Sequence, residues 1–279
     1  DYNLLFRWFL DLDLESGGLD QSNFSRLRER LVETDIARRF FDEVVRLARK
    51  DKLLSSDHFT VDGTLIDAWA SFKSFKRKDD DEPPKPGDGT GMVDFKGERR
   101  SNATHQSTTD PDAKLMRKGN GQPAKLSYGG HALMENRSGL CVDLLITDAT
   151  LAEHQAARQL LTRARRRKIH PKTLGADKGY HVKDFVQHLR EHKIKPHIAR
   201  IDGRKTPGLD GRTTCTEGYK VSQRKRKRVE EIFGWLKTVG GMRKTRFIGQ
   251  ARTQIAAYLS AAAYNLLRIA KLQRAGSEA

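Results

Sequence analysis

Three carboxylates stand where a charge needs a reason. Asp62 follows Val61 in a run of β-branched and apolar residues, Asp177 follows Gly175-Ala176, and Glu230 follows Val229 on an amphipathic stretch. Each marks the edge of an element with apolar neighbours, where a carboxylate is costly unless it is paired or holds a metal. Three such groups brought together suit Mg²⁺, with Mn²⁺ able to substitute. Hard cations take oxygen ligands and leave room for water and phosphate. Two such ions about 3.5–4 Å apart activate water or a 3′-hydroxyl and stabilise the leaving oxygen of a phosphodiester displacement. Arg226, Glu230 and Lys237 share one helical stripe, beside the apolar stripe of Val229, Ile232, Phe233 and Leu236. Glu231 lies about 100° around the helix and suits a pair with Lys227. An ordinary surface ion-pair ladder is the competing reading of that stripe.

A second pattern competes for a metal. His188-Leu189-Arg190-Glu191-His192 fits the H-x-x-E-H arrangement of inverted zinc peptidases, with the two His one helical turn apart. Val182, Phe185, Val186 and Leu189 claim the buried face of that helix, so His188, Glu191 and His192 are expected to face solvent. No further residue marks a third ligand. A zinc metallopeptidase is therefore a distant alternative. His131, inside a strand, is expected to be a satisfied core residue.

The elements that must position these residues are legible in outline. Residues 1–56 read as helical, with Phe6, Trp8, Phe9 and Leu10 as an apolar start. Ser22 is the expected cap of a helix carrying Phe24, Leu27 and Leu31. Asp35 is the expected cap of the next, with Ile36, Phe40, Val44 and Leu47 on one face. His58 to Ala70 has β-rich spacing with Asp62-Gly63 inside it, one strand with a turn expected at Gly63. Residues 73–122 are dominated by Lys, Asp, Pro, Gly, Ser and Thr and read as a mobile polar insertion. Lys125–Glu135 and Leu140–Thr147 read as a hairpin. A helix over Leu151–Lys168, a strand over Thr173–Ala176, a helix over Val182–Lys193 and a strand over Ile194–Ala199 follow. One helix is expected over Ser222–Thr238 and an apolar one over Arg252–Leu272. Five strands with intervening helices give an α/β domain with a mixed sheet.

Composition narrows the partner. The 279 residues carry 53 Lys+Arg and 36 Asp+Glu, a formal charge of +17. Residues 1–72 hold 10 basic and 14 acidic residues, whereas residues 200–252 hold 15 basic and 5 acidic. The excess therefore surrounds the helix bearing Glu230, and a phosphate-tracking surface is expected there. Arg224, Lys225, Lys227 and Arg228, with the loop of Arg243, Lys244 and Arg246, are candidate DNA-backbone contacts. No apolar run approaches the roughly 18–20 residues of a membrane span. Cys141 and Cys215 make neither a disulfide framework nor a metal knuckle, which fits a reducing cytoplasmic setting. The start, Asp1-Tyr2-Asn3, lacks an initiating Met and reads as a piece that begins part-way into the helical region.

Three blocks give the sequence a family likeness. Thr60-Val61-Asp62-Gly63-Thr64-Leu65-Ile66-Asp67-Ala68-Trp69-Ala70-Ser71 resembles the first-aspartate block of bacterial insertion-sequence transposases of the Asp-Asp-Glu (DDE) class. Leu174-Gly175-Ala176-Asp177-Lys178-Gly179-Tyr180 resembles their second-aspartate block. Arg226, Glu230 and Lys237 match the spacing of their glutamate block, whose signature Tyr is replaced here by Gln223. The likeness extends to Ser101-Asn102, Thr108 to Ala113 and the apolar C-terminal helix. It implies a ribonuclease-H-like, five-stranded mixed sheet flanked by helices over residues 57–272. It also implies a helical region at 1–56 as a candidate for binding DNA ends, and a tail at 273–279. Further implications are a divalent metal on Asp62, Asp177 and Glu230, and phosphate contacts by Arg226 and Lys237. The expected partners are double-stranded DNA, as terminal repeats and target, and a second copy in a dimer or larger nucleoid-associated assembly. The expected activity is endonuclease cleavage and strand transfer in DNA transposition and recombination. A decayed remnant that only binds DNA is the alternative, and Asp62→Ala distinguishes the two.

Overall fold

A computed structural model of the chain describes residues 34–78, 100–119 and 121–277, with Asp13, Asp20, Ser22, Ser25, Arg26, Glu29 and Arg30. The expected apolar residues at 6–10, 24, 27 and 31, and the charged and Gly-rich stretch of 79–99, lie outside the described residues. Ser22 does not cap its helix. It lies within the helical conformation, and its N–H donates to the Asp20 carboxylate at 3.2 Å.

Helix α1 (Ile36–Lys50) forms where expected, but its buried face is turned. Ala37, Phe41, Val44, Val45 and Ala48 are buried, while Ile36, Phe40 and Leu47 are exposed. Asp35 makes no side-chain cap and adopts a left-handed backbone at φ 53°. Strand β1 (His58–Asp67) runs without a break through Gly63, where a turn was expected. Its antiparallel register with a later strand pairs Gly63 with His131 and holds the segment extended. The 73–122 segment is not all loop. It contributes β2 (Phe75–Arg77), β3 (His105–Ser107) and β4 (Lys114–Met116). Then come β5 (Lys125–Glu135), β6 (Leu140–Asp148), α2 (Glu153–Arg166), β7 (Thr173–Ala176), α3 (Lys183–Glu191) and β8 (Lys195–Ile198). The expected helix over Ser222–Thr238 starts earlier and is interrupted. A short α4 (Gly211–Thr214) precedes α5 (Glu217–Lys225), a 3₁₀ turn at Arg226–Arg228 and α6 (Val229–Thr238). Helix α7 (Gln250–Ser277) runs past Leu272 into the segment read as a tail.

The main sheet has the order β6–β5–β1–β7–β8, with β4 pairing the other end of β5 on the same side as β6. Short β4 makes it six strands rather than five. β1 is antiparallel to β5 and parallel to β7, and β7 is parallel to β8. This is the mixed, helix-flanked sheet expected of a ribonuclease-H-like α/β fold. Its core gathers Phe59, Tyr128, Leu133, Leu144, Leu160 and Phe185, all fully buried. Asp143 lies in this core at 1 % exposure, ion-paired at 2.9 Å to Arg163 and 2.8 Å to Arg167 of the α2 region.

The sheet edges are answered by side chains. Along β6, Gln254 accepts from Ile146 N–H and donates to Leu144 C=O, while Gln250 donates to Ile146 C=O. Asn265 does both for Cys141. Gln250, Gln254 and Asn265 fall on one stripe of α7, so a helix takes the place of a strand. At β4, Asn102 likewise accepts from Leu115 N–H and donates to its C=O. At β8, the Tyr219 hydroxyl donates to Ile198 C=O and the Gln223 amide to His197 C=O.

Candidate active site

Asp62 and Asp177 meet because two neighbouring parallel strands put them in step. β1 pairs with β7 through Thr60 and Gly175, so the chains reach Asp62 and Asp177 two residues further on. Neighbouring strands lie about 4.8 Å apart. Gly175 permits the approach of α5: a Cβ there would sit 3.2 Å from Ser222 Oγ and 3.3 Å from Thr60 Oγ1. The two carboxylates are fixed locally. Asp62 Oδ1 accepts from Gly63 N–H at 2.8 Å, and Asp177 Oδ1 accepts from Gly179 N–H at 2.8 Å. Glu230 occupies the exposed first turn of α6. α6 leans on β1, where Lys237 Nζ donates to Thr64 Oγ1 at 2.5 Å.

The charges of these groups are coupled. Burial pushes the Asp62 carboxyl up to about 6. The Gly63 N–H opposes this, the charge of Asp177 adds to it, Arg226 opposes it and Glu230 adds to it. Thus Asp62 feels both of its expected partners and the arginine of the glutamate block. A fourth carboxylate, Glu153 at the start of α2, belongs to the same cluster and was not anticipated. Burial and then the charges of Asp177 and Asp62 push it up to about 7. Its one sequence signal is faint: an acidic residue opens α2 without a capping side chain at Ala152. The donor set is all carboxylate oxygen, which suits Mg²⁺ or Mn²⁺. Among the described residues, the buried Tyr180 hydroxyl has no hydrogen-bond partner, nor has His131 Nδ1, which lies 3.1 Å from the Cβ position of Gly63, so the site offers polar atoms for a hydrated ion.

A raised carboxylate pKa has a definite sign for stability. Asp62 carries a folded value of about 6 against an ordinary 3.8, so ionisation opposes folding. The penalty is absent below the ordinary value, grows as pH rises from there to the folded value, and is constant above it. In EDTA, Asp62→Asn is therefore expected to melt progressively higher than the parent protein between about pH 4 and pH 6, with a constant gap above about pH 7. Melting curves that stay parallel across this range would contradict the coupling.

The basic residues divide into two kinds. Arg226 is half-buried beside Asp62, and its Nε has no partner. Arg224, Lys225 and Lys227 are exposed, as are Arg243, Lys244 and Arg246. The loop of the last three is stitched to β1, because Asp67 N–H donates to Arg243 C=O and Thr245 N–H to Asp67 C=O. Lys244 Nζ lies 5.3 Å over the exposed Trp69 ring. Arg228, grouped with them in the sequence, is engaged elsewhere. Its Nη1 donates to Asn136 C=O at 2.7 Å and Arg137 C=O at 3.0 Å, and its guanidinium covers Gly139 at the β5–β6 turn. Arg228→Ala is expected to cost about 1.5–3 kcal/mol of stability, as for hydrogen bonds to a charged group. DNA affinity is expected to change little, whereas Lys227→Ala should do the reverse. Denaturant melts and salt-dependent binding isotherms separate the two.

Two other expectations meet their surroundings. Gln223, in place of the signature Tyr, ties α5 to β8. His131 is buried with Nε2 3.0 Å from Thr147 Oγ1, but it is not fully satisfied. Among the described residues, the three-ligand group with all donor atoms within 4.8 Å of one another is His188, Glu191 and His192; Asp62 and Asp177 are not drawn that close together with either Glu230 or Glu153. It lies on the outer side of α3, opposite the buried Phe185, Val186 and Leu189.

A carboxylate cluster beside the parallel pair β1 and β7, with Arg226 in its field, defines a candidate metal-dependent phosphodiester site. The family model described as Transposase DDE domain matches residues 95–266, more than half of the chain, and the chain belongs to that family. The match includes Glu153, Asp177 and Glu230, while Asp62 precedes it. No curated protein matches the chain. Among solved structures, a piggyBac transposase synaptic complex with hairpin DNA is similar, at 12 % identity and TM-score 0.38, over 88 % of this chain and 55 % of that one. This chain thus spans about half the length of that protein. The Mos1 transposase paired-end complex with left transposon end gives 9 % identity and TM-score 0.27, over 94 % of this chain and 69 % of that one. The pre-cleavage Mos1 transpososome gives 10 % and 0.25, over 95 % and 68 %. No helix among the described residues is long and apolar enough to cross a membrane.

Proposed function

We propose that this protein cuts the ends of a bacterial insertion sequence and joins them to target DNA by phosphodiester hydrolysis and strand transfer. The observation that carries this reading is the register of Asp62 and Asp177 on adjacent parallel strands, with Arg226 and Glu230 in the field of Asp62. A protein that only held DNA would have no use for acids at the centre of its basic surface, which argues against a decayed binding remnant.

Asp62, Asp177 and Glu230 would hold Mg²⁺, for which Mn²⁺ could substitute. The bound metal lowers the pKa of a water and offsets charge developing on the phosphate. The N–H groups of Gly63 and Gly179 fix the two aspartates so that their remaining oxygens face the phosphate. Arg226 and Lys237 flank the scissile phosphate and balance its charge. In the first step a water oxygen bonds to phosphorus, the bond to the 3′-oxygen breaks, and that oxygen leaves protonated. In the second step the freed 3′-hydroxyl attacks a target phosphate and displaces a target 3′-oxygen by the same in-line route. Arg224, Lys225 and Lys227, with Arg243, Lys244 and Arg246, track the duplex backbone. Residues 57–272 form the catalytic unit and 1–56 contribute to binding the ends. The active form is a dimer or larger assembly at the bacterial nucleoid.

The test is a nicking and joining assay on duplexes bearing the repeats that flank the coding sequence, with Mn²⁺ or EDTA. Metal-dependent 3′-hydroxyl ends and joined products are expected. Binding without cleavage in Mn²⁺ would favour the remnant reading. A peptidase would instead retain zinc on His188 and His192 and leave the duplex intact.

A further inference from the structure

Three side chains remain unused by this triad, and all three lie on its inner side. Glu153 is the first residue of α2, wedged between the glycines that belong to the two aspartate blocks. Its Oε1 is 3.0 Å from the point a Cβ would occupy on Gly63, next to Asp62. Its Oε2 is 3.1 Å from the corresponding point on Gly179, and Asp177 Oδ1 is 3.1 Å from that same point. Glu153 and Asp177 therefore converge over Gly179, and a side chain at Gly63 or Gly179 would make Glu153 give way by a few tenths of an ångström. Among the described residues no ion pair or hydrogen bond answers Glu153. The N-terminus of α2 gives its charge partial compensation, which is too little for a group facing two other carboxylates.

Two further observations point the same way. His131 is only 3 % exposed, and its Nδ1 has no partner and sits 3.1 Å from the same Gly63 point that Glu153 Oε1 approaches. Tyr180 is fully buried, its hydroxyl has no partner, and it feels the charges of Glu153, Asp62 and Asp177. Orphaned buried polar atoms are rare and call for a ligand or an ordered water. Here two of them border the same carboxylates. Water bound to a cation in that space would satisfy both, while the cation answered the negative charge.

We infer that Glu153 is a fourth carboxylate of the metal site, ligating with Asp62 and Asp177 an inner divalent ion that does not depend on Glu230. The inference rests on the reading of the cluster as a metal site. It divides the labour between two ions: one held from within the sheet by Asp62, Asp177 and Glu153, and one that needs Glu230 from α6. The inner ion can then bind before DNA does.

Mn²⁺ binding to the metal-stripped full chain without DNA tests this, by calorimetry and by electron paramagnetic resonance of free Mn²⁺. The parent protein and Glu230→Gln are expected to bind an ion with similar affinity. Glu153→Gln is expected to bind it at least about tenfold to a hundredfold more weakly, the loss typical even for outer-shell groups. Parental Mn²⁺ affinity and stoichiometry in Glu153→Gln would overturn the inference and leave the Asp62, Asp177 and Glu230 reading intact. Absence of Mn²⁺ binding by the parent would overturn both. Circular dichroism checks the fold of each variant, and Glu153→Asp, which shortens the reach but keeps the charge, is the second arm. Weakened binding in that variant supports ligation by Glu153, and parental binding opposes it.

Discussion

Asp62→Asn is expected to lower metal-dependent cleavage by about a thousandfold or more, as losses of central catalytic groups do. Duplex binding should survive. Asp62 lies mid-strand, its Oδ1 held by Gly63 N–H, and it is the group whose ionisation answers to Asp177, Arg226 and Glu230 together. The substitution keeps the shape and the hydrogen bond but removes a charge from the floor of a basic cleft. Duplex affinity should therefore hold or rise slightly, because fewer negative charges oppose the phosphates. Folding should not suffer, since the lost charge is one the fold disfavours. Loss of activity alongside retained stability and affinity separates chemistry from collapse. A variant retaining more than about a tenth of parental cleavage, a barrier change of under 1.4 kcal/mol, would remove Asp62 from the mechanism.

The largest stability effect is expected far from that cleft. Asp143 on β6 is nearly inaccessible and receives hydrogen bonds from Arg163 and Arg167. Arg167 also donates to Asp42 at 2.8 Å and to Val142 C=O at 2.9 Å. Arg163 also donates to the Tyr258 hydroxyl. One carboxylate therefore ties β6 to the α2 region, and its two arginines carry the connection to α1 and α7. Removing it leaves the largely buried Arg163 without a carboxylate partner and Arg167 with Asp42 alone. Asp143→Ala is expected to cost about 3–5 kcal/mol, as breaking buried ion pairs does. Asp143→Asn, which keeps an acceptor oxygen, should lose less. Denaturant titration measures both, and a loss below about 1 kcal/mol for the alanine variant would mean that the pair is dispensable.

Much of the frame was legible because local pattern and long-range structure agree. β5, β6 and β7 carry apolar runs of strand length between turn residues, and they form almost where the pattern puts them. Asp62 and Asp177 stood out because a lone charge beside buried strand residues is costly anywhere. Other features depended on partners remote in sequence. The face of α1 is chosen by α7, where Tyr258 packs against Phe41, and Phe40 is left outside. The Asp62-Gly63 pair looks like a turn until β5 lies alongside and holds it straight. Six consecutive polar residues, Gln223 to Arg228, give no hint of the 3₁₀ turn that separates α5 from α6. Glu153 was hardest to see. An acidic residue in a first helical turn is ordinary, and its meaning appears only when α2 packs across β6, β5 and β1 and meets the turn at Lys178–Tyr180.

The helices and loops that dress the strands also limit how copies of this protein can meet. Gln250, Gln254 and Asn265 occupy ladder positions of β6, Asn102 those of β4, and Tyr219 that of Ile198 on β8. None of these rims can recruit a strand from a neighbouring molecule without first shedding its amide or phenol. A stray sheet–sheet fusion between crowded copies is blocked at each of these rims.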